Sequence, residues 1–464
     1  KDLIPVEPLL NGPRHWGVIS LAGYWIAEAF CISQYQVASS SLELGLSPGT
    51  TQMSNTNINL SSALACAANG WVGCTFGINF PVFARASFGI RGTSVAIICR
   101  AVAAIVWFGT QTYQGGLCVQ VMLEAIWPSF KSLPNHLPSS AQVTSAELLC
   151  FFIFYMIQLP LLWIHISKLR YLFMIKVIVM PIFGFTLFGW AIGRAHGFGP
   201  LFDRPTSVKG SPVAVVFFSA MSSVIAPKAT LALNIADFTR YAKSPRTVVW
   251  TTILSLTIPV TLCAILGVVV TSAVEVIYGV STWNPLQVCE LWNNRAAAFF
   301  AAFCWALAGL VTNISANSTA VGNDLAMLFP KVINIRRGQF ICAVLGIAAC
   351  PWIVQNSATS FTSFLDGYSI FLGPVAGILL ADFYILRRRK LELGALFCHG
   401  ASPYWYAHGF NFRALVAFFL ALVPNLPGFA NKVTPSLHVP KGASYLFSVV
   451  WPVGVVVAGS LYLL

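Results

Sequence analysis

Two polar clusters interrupt long apolar stretches of this chain, and their side chains suit a flat heterocyclic guest. One reads Trp107-Phe-Gly-Thr-Gln111 and the other Thr312-Asn313-Ile-Ser-Ala-Asn317. Residues four apart on a helix face the same way, so Trp107 pairs with Gln111 and Asn313 with Asn317. An indole offers a flat face for stacking, and a carboxamide one turn away offers both a donor and an acceptor. That pairing suits a uracil-like ring, whose edge alternates N–H and C=O, and the two asparagines can complement its far edge. Amides in hydrocarbon are costly unless a protein interior or a guest satisfies them. An interfacial tryptophan with helix-packing amides would give the same pattern, so residue types alone leave both readings open.

Other ionisable and aromatic residues extend the candidate set. Lys228 follows a proline in Ala226-Pro-Lys228-Ala229, midway along an apolar stretch and too deep to snorkel easily. It needs an anion or a carbonyl as partner, and a helix interrupted at the proline would free backbone groups for a substrate or ion. Glu28, within Trp25-Ile-Ala-Glu28-Ala-Phe-Cys-Ile-Ser33-Gln34, lies where a carboxyl is suited to taking up and releasing a proton near neutral pH. A permanent pair with a cation such as Lys228 is the alternative. Asp237 and Arg240, in Asp237-Phe-Thr-Arg240-Tyr, are placed for an inner gate or for a membrane-edge anchor. Phe361, Phe364 and Leu365 share a face at three- and four-residue spacing, which fits a hydrophobic gate or ordinary packing. Asp366 beside them has no role the sequence explains. There is no HExxH, no Walker A and no GxGxxG followed by a suitable acid, so neither an enzyme nor an ATP-driven pump is expected. The twelve cysteines are scattered without metal-ligand spacing and read as small buried hydrophobes.

The elements that must position these residues are membrane spans. The chain has 464 residues, 57% of them hydrophobic and 9% charged, with a mean hydropathy of +0.75. A soluble domain carries about 25% charged residues, so an integral membrane protein is implied. Apolar runs of about twenty residues or more recur throughout, which predicts helices rather than a barrel. Twelve spans are expected, near 16–40, 60–84, 93–127, 146–166, 170–195, 211–237, 247–274, 296–323, 339–356, 358–386, 411–430 and 442–464. No soluble domain fits between them, so residues 1–464 form one membrane domain.

Loop charge sets an expected orientation. With the start inside, the cytosolic side holds Lys1, Arg14, Arg85, Arg91, Lys168, Arg170, Arg240, Lys243, Arg246, Lys331, Arg336, Arg337, Arg387, Arg388, Arg389, Lys390 and Arg413. The outside holds Lys131, Arg194, Arg204, Lys209, Arg295, Lys432 and Lys441. The bias places both termini in the cytosol, and it accounts for the net charge of +13 without nucleic acid. The polar stretch Ser47–Asn59 and the segment Trp127–Val143 are then expected as external loops, with Asn59-Leu-Ser61 as a glycosylation acceptor.

Asn11-Gly-Pro-Arg-His-Trp16, Trp107-Phe-Gly-Thr-Gln111, Ala229-Thr-Leu-Ala-Leu-Asn234-Ile-Ala-Asp-Phe-Thr-Arg240-Tyr and Thr312-Asn313-Ile-Ser-Ala-Asn317 resemble the nucleobase–cation symporter-1 family over nearly the whole chain. The Pro-Lys228 pair makes the chain similar to the fungal uracil/allantoin/uridine permease branch more than to the purine–cytosine branch. The resemblance implies a leucine-transporter-type architecture: an inverted repeat over about 15–195 and 211–386, then two accessory helices over about 411–464, with spans 1 and 6 broken at mid-membrane. It implies that Trp107 stacks on the ring, Gln111 and Asn317 bond its edge, Asn313 supports them, Lys228 lines the site, and Phe361 and Phe364 gate it. Sodium-coupled relatives pair two hydroxyls before the first asparagine of span 8. Here that pair is Val311-Thr312, which favours proton coupling over sodium, with Glu28 as the responsive acid and no cofactor. The expected function is proton-coupled import of uracil, allantoin or urate at the plasma membrane. A uridine, thiamine or nicotinamide riboside permease and a non-transporting nutrient receptor are the alternatives. Membrane lipid is an expected partner, a homo-oligomer is left open, and nucleic acid is not expected.

Overall fold

The computed structural model describes residues 14–164, 170–197, 205–208, 211–398, 400, 402–434 and 436–464, apart from the side chains of 170, 171 and 173. Lys1, Asn11, Lys168, Arg204 and Lys209, used in the orientation and motif arguments, lie outside the described residues. Among the described residues the chain is helical, with only isolated bridges such as Trp16 to Ala242 in place of strands. In hydrocarbon every backbone polar group must be satisfied within the segment, which a helix does unaided.

Among the described residues eight spans are long and apolar enough to cross a membrane as continuous helices. They are span 3 (Thr93–Ile126), span 4 (Ser145–Trp163), span 5 (Arg170–Arg194), span 6 (Val213–Asn234 with Ala236–Thr239) and span 7 (Pro245–Tyr278). Span 8 (Arg295–Thr312, Asn313–Ser318, Thr319–Leu328), span 10 (Ala358–Leu380 with Ala381–Leu386) and span 11 (Phe412–Leu422 with Leu426–Val433) complete the set. Their outward faces carry exposed Met156, Phe185, Phe303 and Phe419, a surface suited to lipid.

Of the remaining four spans three are interrupted and one, span 2, is continuous but starts early. Span 1 divides into span 1a (Val18–Ala29) and span 1b (Ile32–Glu43), because Phe30 and Cys31 leave helical geometry; Cys31 is extended at φ −148°, ψ 162°. Span 9 (Ile335–Ala348, then Pro351–Gln355) is interrupted at Cys350, which has φ +46°. Span 12 is not one straight rod: Lys441–Phe447 and Val450–Leu463 meet at 87°. Span 2 (Pro48–Phe76) starts a dozen residues earlier than its hydropathy predicts. Ser47 caps it by accepting the Thr50 N–H at 3.3 Å, and Pro48 fits the first turn.

The early start of span 2 overturns two expectations. Ser47–Asn59 is not an external loop, and Asn59 is not a glycosylation acceptor. Asn59 is fully buried and donates to Thr261 Oγ1 of span 7 at 3.3 Å. Much of the polarity that mimicked a loop is buried in the protein, as at Thr51, Ser54, Asn55 and Asn59, while Thr56 and Asn57 stay exposed. Farther along, Asn69 donates to the Ala232 carbonyl at 2.8 Å. A third expectation also changes: span 6 is not broken at its proline. The helix runs through Pro227, which has no N–H to offer the Ser223 carbonyl, and becomes irregular only at Ile235.

Packing sorts the spans into two groups. Span 2 lies against spans 6 and 7, and span 1 against span 7. Span 3 lies against spans 4, 8 and 9. A Cβ at Gly109 would stand 2.3 Å from the Gly346 carbonyl oxygen, so spans 3 and 9 can approach this closely only with glycine there.

Candidate substrate and coupling site

Span 8 widens into a π-helical turn at Asn313–Ser318. Such turns spoil the regular i→i−4 ladder and recur at functional sites. Here the turn points polar side chains in two directions. Toward span 3, Asn317 Nδ2 donates to Gln111 Oε1 at 3.1 Å and to Asn313 Oδ1 at 2.9 Å. Asn313 Nδ2 in turn reaches the Phe108 carbonyl at 3.1 Å, Thr112 Oγ1 at 3.1 Å and Gln158 Oε1 of span 4 at 3.2 Å. Gln158 Nε2 closes the loop on Thr112 Oγ1 at 2.7 Å. Every member of this network is buried. Asn313 therefore braces Asn317. Thr112 and Gln158, which brace Asn313, were not anticipated; Gln158 is the one amide in the apolar span 4 and was the available signal.

One turn from Gln111, Trp107 sits in an aromatic cluster supplied by span 10. Phe364 meets it edge-on at 5.4 Å and Phe361 at 6.1 Å between ring centroids. The indole Nε1–H donates to Tyr368 Oη at 3.1 Å. Leu365 is fully buried in the same apolar cluster, as are Ala226 and Ala229, which flank Lys228 on span 6. Phe361, Phe364 and Leu365 thus pack with Trp107 in one apolar cluster. Tyr368 was missed, although it continues their four-residue spacing.

Lys228 is 2% exposed and donates to Gln34 Oε1 of span 1b at 2.6 Å. The alternative pairing with Glu28 does not form. Glu28 Oε1 instead accepts from Ser315 Oγ of the π-helical turn at 2.6 Å. The cation whose charge reaches Glu28 is Lys176 of span 5. Lys176 is fully buried and donates to the Ala308 carbonyl at 2.9 Å and to Thr312 Oγ1. Thr312 is thereby engaged by an ammonium group. Lys176 is the most consequential residue the sequence reading passed over. Its signal was the one that drew attention to Lys228, a lone cation inside an apolar run. A second amide chain joins span 1b to the opposite helices: Ser33 Oγ to Gln114 Oε1 at 3.1 Å, Gln114 Nε2 to Gln36 Oε1 at 2.7 Å, and Gln36 Nε2 to Gln355 Oε1 at 2.9 Å.

At the end of span 6, Asp237 Oδ1 accepts the Phe80 N–H at 2.8 Å, the first N–H of the short helix Phe80–Phe88. Arg240 lies over the Tyr241 ring at 4.8 Å and donates to its hydroxyl at 2.7 Å. Both are buried. Nearby, Arg100 makes a wholly buried ion pair with Asp324 of span 8 and donates to the Ala320 carbonyl at 2.8 Å. Asp237 thus ties span 6 to the short helix Phe80–Phe88, and Arg100 ties span 3 to span 8.

A broken first span facing a π-helical turn in span 8, with aromatics from span 10 above, defines a multi-pass membrane carrier. Residues 8–454 match the family model described as permease for cytosine/purines, uracil, thiamine, allantoin. The allantoin permease of Saccharomyces cerevisiae is 35% identical over all of this chain and 75% of its own length, and the uracil permease of the same yeast is 34% identical with the same coverage. The uridine permease of that yeast is 32% identical over 99% of this chain and 73% of its own length. The fold is that of Mhp1. Its inward-facing structure gives a TM-score of 0.76 at 22% identity, covering 97% of this chain and 90% of that one. Its closed conformation with bromovinylhydantoin bound gives 0.75 at 22% identity, with 97% and 91% coverage. The chain belongs to the nucleobase–cation symporter-1 family, with its leucine-transporter-type architecture, and is a transporter rather than an enzyme.

Proposed function

We propose that this transporter imports uracil or a related oxidised heterocycle, such as allantoin or urate, by proton symport with alternating access. One observation carries the reading. Asn317 spends its Nδ2 on Gln111 and Asn313, which leaves Gln111 Nε2 as a donor and Asn317 Oδ1 as an acceptor. A ring edge of alternating C=O and N–H needs that pair, one turn from the Trp107 face. Lys228, held by Gln34, supplies an ammonium to complement a ring carbonyl or a urate anion. The similarity to the yeast allantoin and uracil permeases supports the substrate class. Similarity to the yeast uridine permease favours a second reading, in which a ribose-bearing guest such as uridine, thiamine or nicotinamide riboside uses the same site.

The coupling step runs through Glu28. Its partner Ser315 belongs to the turn that carries Asn313 and Asn317, so a proton on Glu28 bears on the substrate amides through one short segment. Lys176 on Thr312 places a protein cation beside span 8, and Val311 supplies no hydroxyl; both favour a proton over sodium. Substrate then bridges spans 3, 6 and 8, the Phe361–Phe364 lid closes, and the group of spans 1, 2, 6 and 7 shifts against the rest. The setting is the plasma membrane, with both termini cytosolic and lipid around the outer helices.

The test is uptake in cells lacking their own carriers, with uracil, allantoin, urate, uridine and thiamine as competitors. Saturable uptake of uracil or allantoin, driven by an inward proton gradient and lost in Asn317→Ala, is the expected result. Binding without counterflow in vesicles would indicate a receptor, and preferential inhibition by uridine or thiamine would select the second reading.

A further inference from the structure

Asp366 is the only carboxylate in the outer half of span 10, and the transport scheme leaves it without a task. It is 1% exposed. Its Oδ1 accepts from Ser223 Oγ at 3.1 Å and its Oδ2 from Ser219 Oγ at 3.3 Å, two hydroxyls one turn apart on span 6. Lys432 Nζ, at the end of span 11, stands 3.8 Å from Oδ2. Phe364 and Tyr368 lie two residues before and after Asp366, which on a helix turns them to the opposite face. There they hold Trp107 at 5.4 and 6.5 Å. The outer half of span 10 is therefore wedged between the indole and a polar dock.

The inner half is held differently. A Cβ at Gly373 would stand 2.8 Å from the Trp451 carbonyl oxygen, and one at Gly377 would stand 2.2 Å from that of Val455. Close backbone contact thus binds this part of span 10 to span 12. Between the halves Pro374 has no N–H for the Ile370 carbonyl, so the helix is weakened at that point.

We propose that Asp366 is a positioning residue for the outer gate. Docked on Ser219, Ser223 and Lys432, it holds the outer half of span 10 so that Phe364 and Tyr368 press on Trp107. When it undocks, that half swings about Gly373-Pro374 while the inner half stays on span 12. Docked, the buried carboxylate is stabilised by two hydroxyls and an ammonium; undocked, water replaces them, so either position satisfies the charge. The proposal rests on Trp107 being the substrate platform.

Hydrogen–deuterium exchange of the purified full chain, without substrate, tests it. Asp366→Asn should raise exchange over residues 358–372 about tenfold, the size expected for losing one charge-assisted hydrogen bond, and leave 374–386 unchanged. Lys432→Gln, at a position 31% exposed, should act in the same direction by about threefold, the effect of a partly exposed ion pair. Unchanged exchange over 358–372 in Asp366→Asn overturns the proposal. So does an equal rise on both sides of Pro374, which marks general loosening. If Asp366→Asn does not fold, Lys432→Gln and the Ser219→Ala/Ser223→Ala pair decide, and wild-type exchange in both overturns it. Because no substrate is present, a failed uptake panel and a failed latch give separate results.

Discussion

The π-helical turn of span 8 faces two ways, and its sides follow opposite logic. Toward spans 3 and 4 lie neutral groups, Asn313, Asn317, Gln111, Thr112 and Gln158, matched donor to acceptor. Toward spans 1 and 5 lie Glu28 and Lys176, joined to the turn through Ser315 and Thr312. A neutral amide array can exchange one planar guest for another without any change of charge. A buried acid near an ammonium responds only when a proton or cation arrives or leaves. The turn is six residues long, so a displacement on one side reaches the other. We read the neutral side as the seat of the guest and the charged side as the seat of the driving ion.

The largest expected effect breaks the charged side. Lys176→Met leaves the Ala308 carbonyl and Thr312 Oγ1 without their ammonium donor and should cost about 2–3 kcal/mol of stability, the size for losing a hydrogen bond from a charged group. Adding Glu28→Gln should recover only the share owed to the cation near Glu28, read as thermal midpoints in detergent. A double variant no more stable than Lys176→Met would show that the two groups do not act as a pair. On the neutral side, Asn317→Ala leaves Gln111 Oε1 and Asn313 Oδ1 without their shared donor. A loss of about 2–3 kcal/mol, or roughly 30- to 150-fold in apparent affinity, should follow. Uptake kinetics with surface expression measured in parallel decide it, and normal kinetics would remove Asn317 from the site.

A smaller pair of changes sharpens the division. Gln158→Leu acts on Asn317 only through Asn313, and should raise KM by about 1–2 kcal/mol, roughly 5- to 30-fold, while leaving the pH profile of uptake intact. Glu28→Gln should do the converse, flattening the pH profile while Gln111 and Asn317 keep their geometry. A Gln158→Leu variant that also flattened the pH profile would mean that the neutral side itself takes part in the proton step.

Much of this plan was legible in the sequence, and the failures share a cause. The apolar runs located the spans because hydrocarbon forces helices, and Trp107, Gln111, Asn313 and Asn317 stood out because amides and an indole have a cost there. Hydropathy misplaced the start of span 2, since Asn55 and Asn59 are polar yet buried between helices. Periodicity cannot distinguish a wet surface from a polar interior. Pro227 suggested a break in span 6 that the helix absorbs, whereas the actual break in span 1 falls at Phe30 and Cys31, residues with no turn-forming chemistry. The partner of a buried charge was also out of reach. Lys228 meets Gln34 and Glu28 meets Ser315 through contacts between distant segments, which no local spacing encodes.

The smallest effect addresses the roof over the neutral side. Tyr368→Phe keeps the ring that packs on Phe364 at 5.0 Å and removes only the oxygen that accepts the indole N–H at 3.1 Å. If Tyr368 merely orients Trp107, the loss is one neutral hydrogen bond, about 1 kcal/mol, and KM should rise roughly fivefold with the maximal rate unchanged. Phe361 and Phe364 would still hold the indole edge-on, so the stacking face stays nearly in place. A loss of a hundredfold or more would mean that the hydroxyl serves the guest directly, because orienting one ring through one neutral bond cannot account for it. The roof would then belong to the recognition surface, and the donors and acceptors that select the heterocycle would come from span 10 as well as from spans 3 and 8.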